Sequence, residues 1–164
     1  MQVIKGVNFP SYVFASLVAG YVMMGVDIML EGFLGLFGSY RQYVEIVSYT
    51  GLFRGYEDLA MVIGHTFNSM IFAIFFVTPQ VYHRLPSPWG AVKGLFFGIC
   101  WHALALAFLV ITSLLGARMS ELMLPHHLHQ HLTLLLLHVV WGVTLGALYN
   151  LKDDNDSYTR ESKT

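Results

Sequence analysis

The chain carries one cysteine, Cys100, in 164 residues, so no internal disulfide can form. Charge is equally scarce. Asp, Glu, Lys and Arg make up 12% of the residues, against about 25% in ordinary soluble domains. The formal net charge is −1, which supplies no electrostatic attraction for nucleic acid. There is no phosphate-cradling GxxxxGK[ST], no CxxC or CxxCH, no HExxH and no GxSxG. Those absences set aside nucleotide-powered pumping, covalent haem attachment, zinc proteolysis and α/β-hydrolase chemistry. Histidines cluster in a single stretch, too few for a membrane di-iron oxygenase. The polar connections are too short for a soluble catalytic domain, so no catalytic activity of its own is expected.

What the chain has in abundance is apolar surface: 55% hydrophobic residues and a mean hydropathy of +0.58. About 20 apolar residues span a bilayer, and four segments reach that length, near residues 12–37, 56–81, 89–117 and 128–151. The first follows the short, weakly basic MQVIKGVNFPS and is too long for a signal-peptide core, so it reads as an uncleaved span. LPSPWG separates the second and third spans, and Pro125 precedes the fourth. Residues 152–164 read as a polar tail. The expected fold is all-α, a four-helix transmembrane bundle of two tandem hairpins.

Lys and Arg set orientation. Lys5, Arg84, Lys93, Lys152, Arg160 and Lys163 fall on one side, and Arg41, Arg54 and Arg118 on the other. Six against three predicts an inner-membrane protein with both termini cytoplasmic. The first outer loop, SYRQYVEIVSYTGLFRGY, mixes tyrosines with few charges and reads as interfacial. A faint repeat aligns Gly20 with Gly98 and His65 with His138. If it is a duplication, the two hairpins are related by a pseudo-twofold along the membrane normal, and the two histidines face each other.

An ionisable residue within hydrocarbon is costly and marks a functional site by default. His65 and His138 each sit inside an apolar span, followed by Ser69 and Ala73 or by Gly142 and Gly146. At 1.5 Å per residue, both lie roughly 12 Å below the outer surface. Asp27, and Glu31 one turn beyond it, fall near the same level on the first span. Three readings follow. Haem b held between His65 and His138 would use Gly64, Ser69 and Gly142 as room for the macrocycle. A transition metal or proton site would combine both histidines with Asp27 and Glu31. A structural role would have each histidine bond a neighbouring helix, with Asp27 paired to His65 or His138. His102, measured by its position along the chain, lies deeper than this layer and reads as an interhelical hydrogen bonder. Near the outer end, PHHLHQH offers His126, His127, His129 and His131. On a helix His127 and His131 share a face with His138, and such spacings suit Cu or Zn as well as a polar cap or a subunit contact. Gly94 with Gly98, and Gly142 with Gly146, form GxxxG spacings suited either to packing inside the bundle or to docking on other subunits.

VAGYVMMG, HTFNSMIFAIFF, KGLFFG and LLHVVWGVTLGALYN resemble a group of uncharacterised small bacterial four-helix integral membrane proteins. The resemblance covers roughly residues 12–150 and implies the topology only. The function expected is that of a small non-enzymatic subunit of a larger bioenergetic or membrane-oxidation complex, in contact with lipid and other integral membrane subunits. The alternatives are a standalone metal-ion or proton transporter working through Asp27, Glu31, His65 and His138, and a quinone-linked cytochrome b.

Overall fold

The computed structural model describes residues 6–36 and 38–151. The expected polar tail, Lys5 and Phe37 therefore lie outside the described residues. Seven helices follow one another: α1 Phe9–Gly32, α2 Tyr40–Thr50, α3 Glu57–Val77, α4 Pro79–Arg84, α5 Gly90–Leu114, α6 Arg118–Met123 and α7 Leu128–Leu148. The four long ones, α1, α3, α5 and α7, are long and apolar enough to cross a membrane. Each expected span is present, with its far end drawn in by three to five residues where a short helix, a turn or, after α7, extended chain takes over. Thr78–Pro79 and Leu85–Pro86 bracket α4, because the residue before proline is steered away from helical angles.

Antiparallel neighbours pack in the order α3–α1–α7–α5, so α3 and α7 lie diagonally and run in the same direction. The closest seam is α5 against α7. A Cβ added to Gly94 would collide with the Gly142 carbonyl, one on Gly90 with the Gly146 carbonyl, and one on Gly98 with the His138 carbonyl. Both GxxxG pairs are thus spent inside the bundle, where glycine allows helix backbones to touch. α1 meets α3 similarly: a Cβ on Gly20 would lie 2.8 Å from that of Ser69. α3 and α5 meet instead through rings, Trp101 lying 4.5 Å from Phe72 and 5.9 Å from Phe75 between centroids.

The largest apolar cluster lies in the half of the bundle nearer α4, with Met61, Leu134 and Leu137 also buried beyond it. Tyr12, Ala15, Ala19, Ala73, Phe76 and Leu145 belong to it, with Trp141 and Tyr149. Interhelical hydrogen bonds cross it, as a solvent without water demands. The Trp141 indole donates to Ser69 Oγ at 2.8 Å, Ser69 Oγ donates to the Ser16 carbonyl at 2.6 Å, and Tyr12 donates to the Met70 carbonyl at 2.8 Å. Lys93 stays buried at this end by donating to the Tyr82 carbonyl at 2.8 Å while lying 4.1 Å above that ring's centroid.

Gly94→Ala tests the seam. It inserts a methyl against backbone that cannot yield like a flexible side chain, so a loss of about 1–3 kcal/mol is expected. Reversible unfolding in mixed micelles measures it. A stability equal to that of the parent chain would mean that α5 and α7 do not approach this closely.

Candidate functional site

The polar residues singled out from the sequence gather in the other half of the bundle, toward α2 and α6, and each is held differently. Asp27 is 5% exposed near the end of α1. Its carboxylate accepts from the Ser39 backbone N–H and from Ser39 Oγ, both at 2.7 Å. Glu31, one turn on, accepts from the Arg41 backbone N–H at 3.3 Å and pairs with Arg41 Nε at 3.0 Å. The two carboxylates therefore receive the first free N–H groups of α2 and sit at its positive end. Gly38 makes the approach possible, since a Cβ there would lie 2.6 Å from the Glu31 Cβ and 2.9 Å from the Asp27 carbonyl. The expected pairing of Asp27 with His65 or His138 gives way to Ser39, because one serine satisfies both carboxylate oxygens.

α2 is fastened on two further sides. Tyr40 donates to Asp58 Oδ1 on α3 at 2.7 Å, and Gln42 Nε2 donates to the Leu122 carbonyl on α6 at 2.7 Å. The Asp58 hydrogen bond, followed by burial and the carboxylate charge, pushes the Tyr40 phenol up to about 12. Burial, and then the charge of Asp27, pushes Tyr43 up to about 12. Tyr43 therefore lies within electrostatic reach of the same carboxylate.

His65 and His138 do come to the same depth, since Ser69 meets Trp141 and Tyr149 donates to the Val77 carbonyl at 3.3 Å along the same pair of helices. Their ring nitrogens go to separate partners. His65 Nε2 lies 3.1 Å from the Gly20 carbonyl. Because a carbonyl only accepts, that nitrogen carries the proton. His138 Nδ1 lies 2.7 Å from the Leu134 carbonyl and 3.2 Å from His102 Nδ1.

His102 thus belongs to the layer from which its chain position excluded it. Side chains on a helix lean toward its N-terminus. On antiparallel α5 and α7, His102 leans back toward Gly98 while His138 leans back toward Leu134. Residues about one turn apart in backbone depth therefore touch. The interhelical hydrogen bond expected of His102 is present, and its partner is His138.

The small residues expected to clear space for a haem plane are otherwise engaged. Ser69 is bonded to Trp141 and Ser16, Gly142 lies against the Gly94 carbonyl, and Gly64 is exposed with open space around it. This packing leaves the macrocycle no slot made by those three positions. Among the described residues, no three His, Cys, Asp or Glu side chains converge as metal ligands do.

The histidine-rich stretch is split by the start of α7. His127 is its N-cap with extended backbone, φ −123° and ψ 150°, so it does not share the helical stripe of His131 and His138. Its side chain accepts from the Gln130 backbone in a capping box. Gln130 Oε1 in turn accepts from the N–H groups of His126 at 2.6 Å and His127 at 3.1 Å. The rings of His127 and His129 stack with centroids 5.5 Å apart. His126, His127 and His129 are exposed and His131 is half-buried.

Comparison of the chain with protein families, with curated proteins and with solved structures finds no match.

Two outcomes are expected. Asp27→Asn removes a charge-assisted acceptor, each such bond being worth about 1.5–3 kcal/mol, and loosens α2 selectively. Faster hydrogen exchange over residues 39–50, with α5 and α7 unaffected, is the signature; unchanged exchange there contradicts the clamp. For Tyr40 the neutral phenol is the favoured form, so its hydrogen bond persists above the ordinary tyrosine value of 10.0 and is lost as pH rises through about 12. Asp58→Asn moves that titration down, as read from the Tyr40→Phe difference spectrum. A titration already at the ordinary value in the parent chain would remove Asp58 as its partner.

Proposed function

We propose that the protein is a small integral membrane subunit that acts by packing against a larger membrane assembly, with its buried polar groups holding its own helices. One observation carries this reading. Asp27, Glu31, His65 and His138 each bond to a backbone group or a neighbouring side chain of the same bundle. Among the described residues, no buried side-chain nitrogen or oxygen lacks a partner. A transit path for protons or metal ions needs groups free to exchange partners, so this arrangement favours a scaffold over a transporter. The bioenergetic or membrane-oxidation setting expected from the sequence is part of the proposal and rests on the abundance of aromatic and apolar surface.

The surface offered to a partner is best developed on α5. Within its most apolar window 17% is buried, against 28–33% for the other three spans. Toward α6 it presents Leu104, Phe108, Ile111 and Leu114, the last 83% exposed. With its glycine face committed to α7, this opposite face is what remains for a neighbouring subunit.

A photo-crosslinking residue in place of Phe108 should give an adduct with a larger integral membrane protein in native membranes. The same probe at Phe14 on α1, also exposed, should give little. The chain should also co-purify with that protein in mild detergent. A homogeneous 18.5 kDa species from native membranes, with no adduct at either position, contradicts the proposal.

A further inference from the structure

We infer that His102 and His138 form a neutral, proton-sharing latch between α5 and α7 that acid releases, loosening the α2–α6 end of the bundle. The inference goes beyond the subunit reading and does not depend on it.

The geometry fixes where the protons are. The Leu134 carbonyl can only accept, so His138 Nδ1, at 2.7 Å, carries a hydrogen. His102 Nδ1 lies 3.2 Å from that same nitrogen and can meet it favourably only as a lone pair. His102 is therefore neutral with its hydrogen on Nε2, and His138 places one N–H between two acceptors. Protonating His102 puts an N–H on its Nδ1 as well. Two donors and two nearby positive edges then face each other, and the contact changes from a bond to a repulsion. Imidazole is the side chain suited to make that change near neutral pH.

The latch lies beyond the glycine seam that joins α5 to α7. The α5–α7 backbone collisions run from Gly90–Gly146 to Gly98–His138 and cover the half nearer α4. Beyond His102, α5 presents exposed Leu104, Phe108, Ile111 and Leu114 and is joined to α6 through the Thr112–Ser120 bond at 2.7 Å. α6 in turn holds α2 through Leu122 and Gln42. Among the described residues, the titratable and charged groups that act on the pair share this end. They are His131 on α7, within electrostatic reach of His102, and His65 on α3, within reach of His138. Asp27 on α1 lies within electrostatic reach of His65, and Tyr43 on α2 within reach of Asp27. On α6, Arg118 and Glu121 are exposed at the rim. Asp27 is committed to Ser39, so among the described residues no carboxylate acts on the pair to hold a second proton there.

The test is hydrogen exchange of the full chain in lipid nanodiscs at pH 8 and pH 5, corrected for intrinsic rates. In the parent chain, amides of residues 103–114 and 118–123 should exchange roughly tenfold faster at the lower pH, the scale of one lost hydrogen bond. Residues 90–98 should change little. His102→Gln keeps an acceptor for the His138 N–H that does not titrate in this range, so its exchange should stay slow at both values. His102→Phe has no latch and should be fast at both. Equal protection of the parent at both pH values overturns the inference. So does an acid response that survives in His102→Gln, which would assign the release to another group in this layer.

Discussion

A polar group within hydrocarbon has no water to turn to, and the arrangement of this bundle follows from that constraint. Every buried side chain with hydrogen-bonding capacity must be matched by another helix, a loop or its own backbone. Ser69 serves α1 and α7 at once, Asp27 takes both polar groups of Ser39, and the two central histidines take carbonyls on α1 and α7. In the proposed reading, residues that resemble a binding site in the sequence are the means by which apolar helices choose their neighbours. Individual bonds of this kind are modest, about 0.6–2 kcal/mol. Their effect is on register and pairing more than on total stability.

The two halves of the bundle solve the packing problem in different ways. Near α4 the solution is steric: glycine against glycine, with Phe76, Trp141, Leu145 and Tyr149 filling the remaining space. Toward α2 and α6 the helices carry fewer buried apolar residues, and polar contacts replace them. α2 ties this end together, receiving carboxylates from α1 and α3 and reaching α6 through Gln42. One half is held by shape, while the other is held by hydrogen bonds among polar side chains and backbone.

The long spans were legible from hydropathy because the membrane imposes length and composition together. α2 is legible too: within the segment expected to be interfacial, Tyr40, Tyr43, Val44 and Val47 follow the i, i+3, i+4, i+7 pattern of a helix. The depth match of His65 and His138 was visible in the spacing of small residues after each. Their partners were not, because a side chain's lean depends on helix direction, and that is what brought His102 to His138. Ser39 as the partner of Asp27 was hidden for a related reason, since it depends on how the chain turns back between α1 and α2. The His127–His131 stripe failed at a helix boundary. His127 is the cap of α7 rather than its first turn, with Gln130 three residues on as the recognisable sign.

The claim that the central histidines hold helices rather than a cofactor is tested most directly by a reduced-minus-oxidised absorption spectrum, with metal analysis, of the chain purified from its native membranes. The same preparation is then compared with His65→Ala and His138→Ala. No Soret band and no stoichiometric metal assignable to the chain are expected, with both variants unfolding more readily than the parent. A b-type spectrum that belongs to this chain and vanishes in either variant would contradict it and make the two histidines axial ligands.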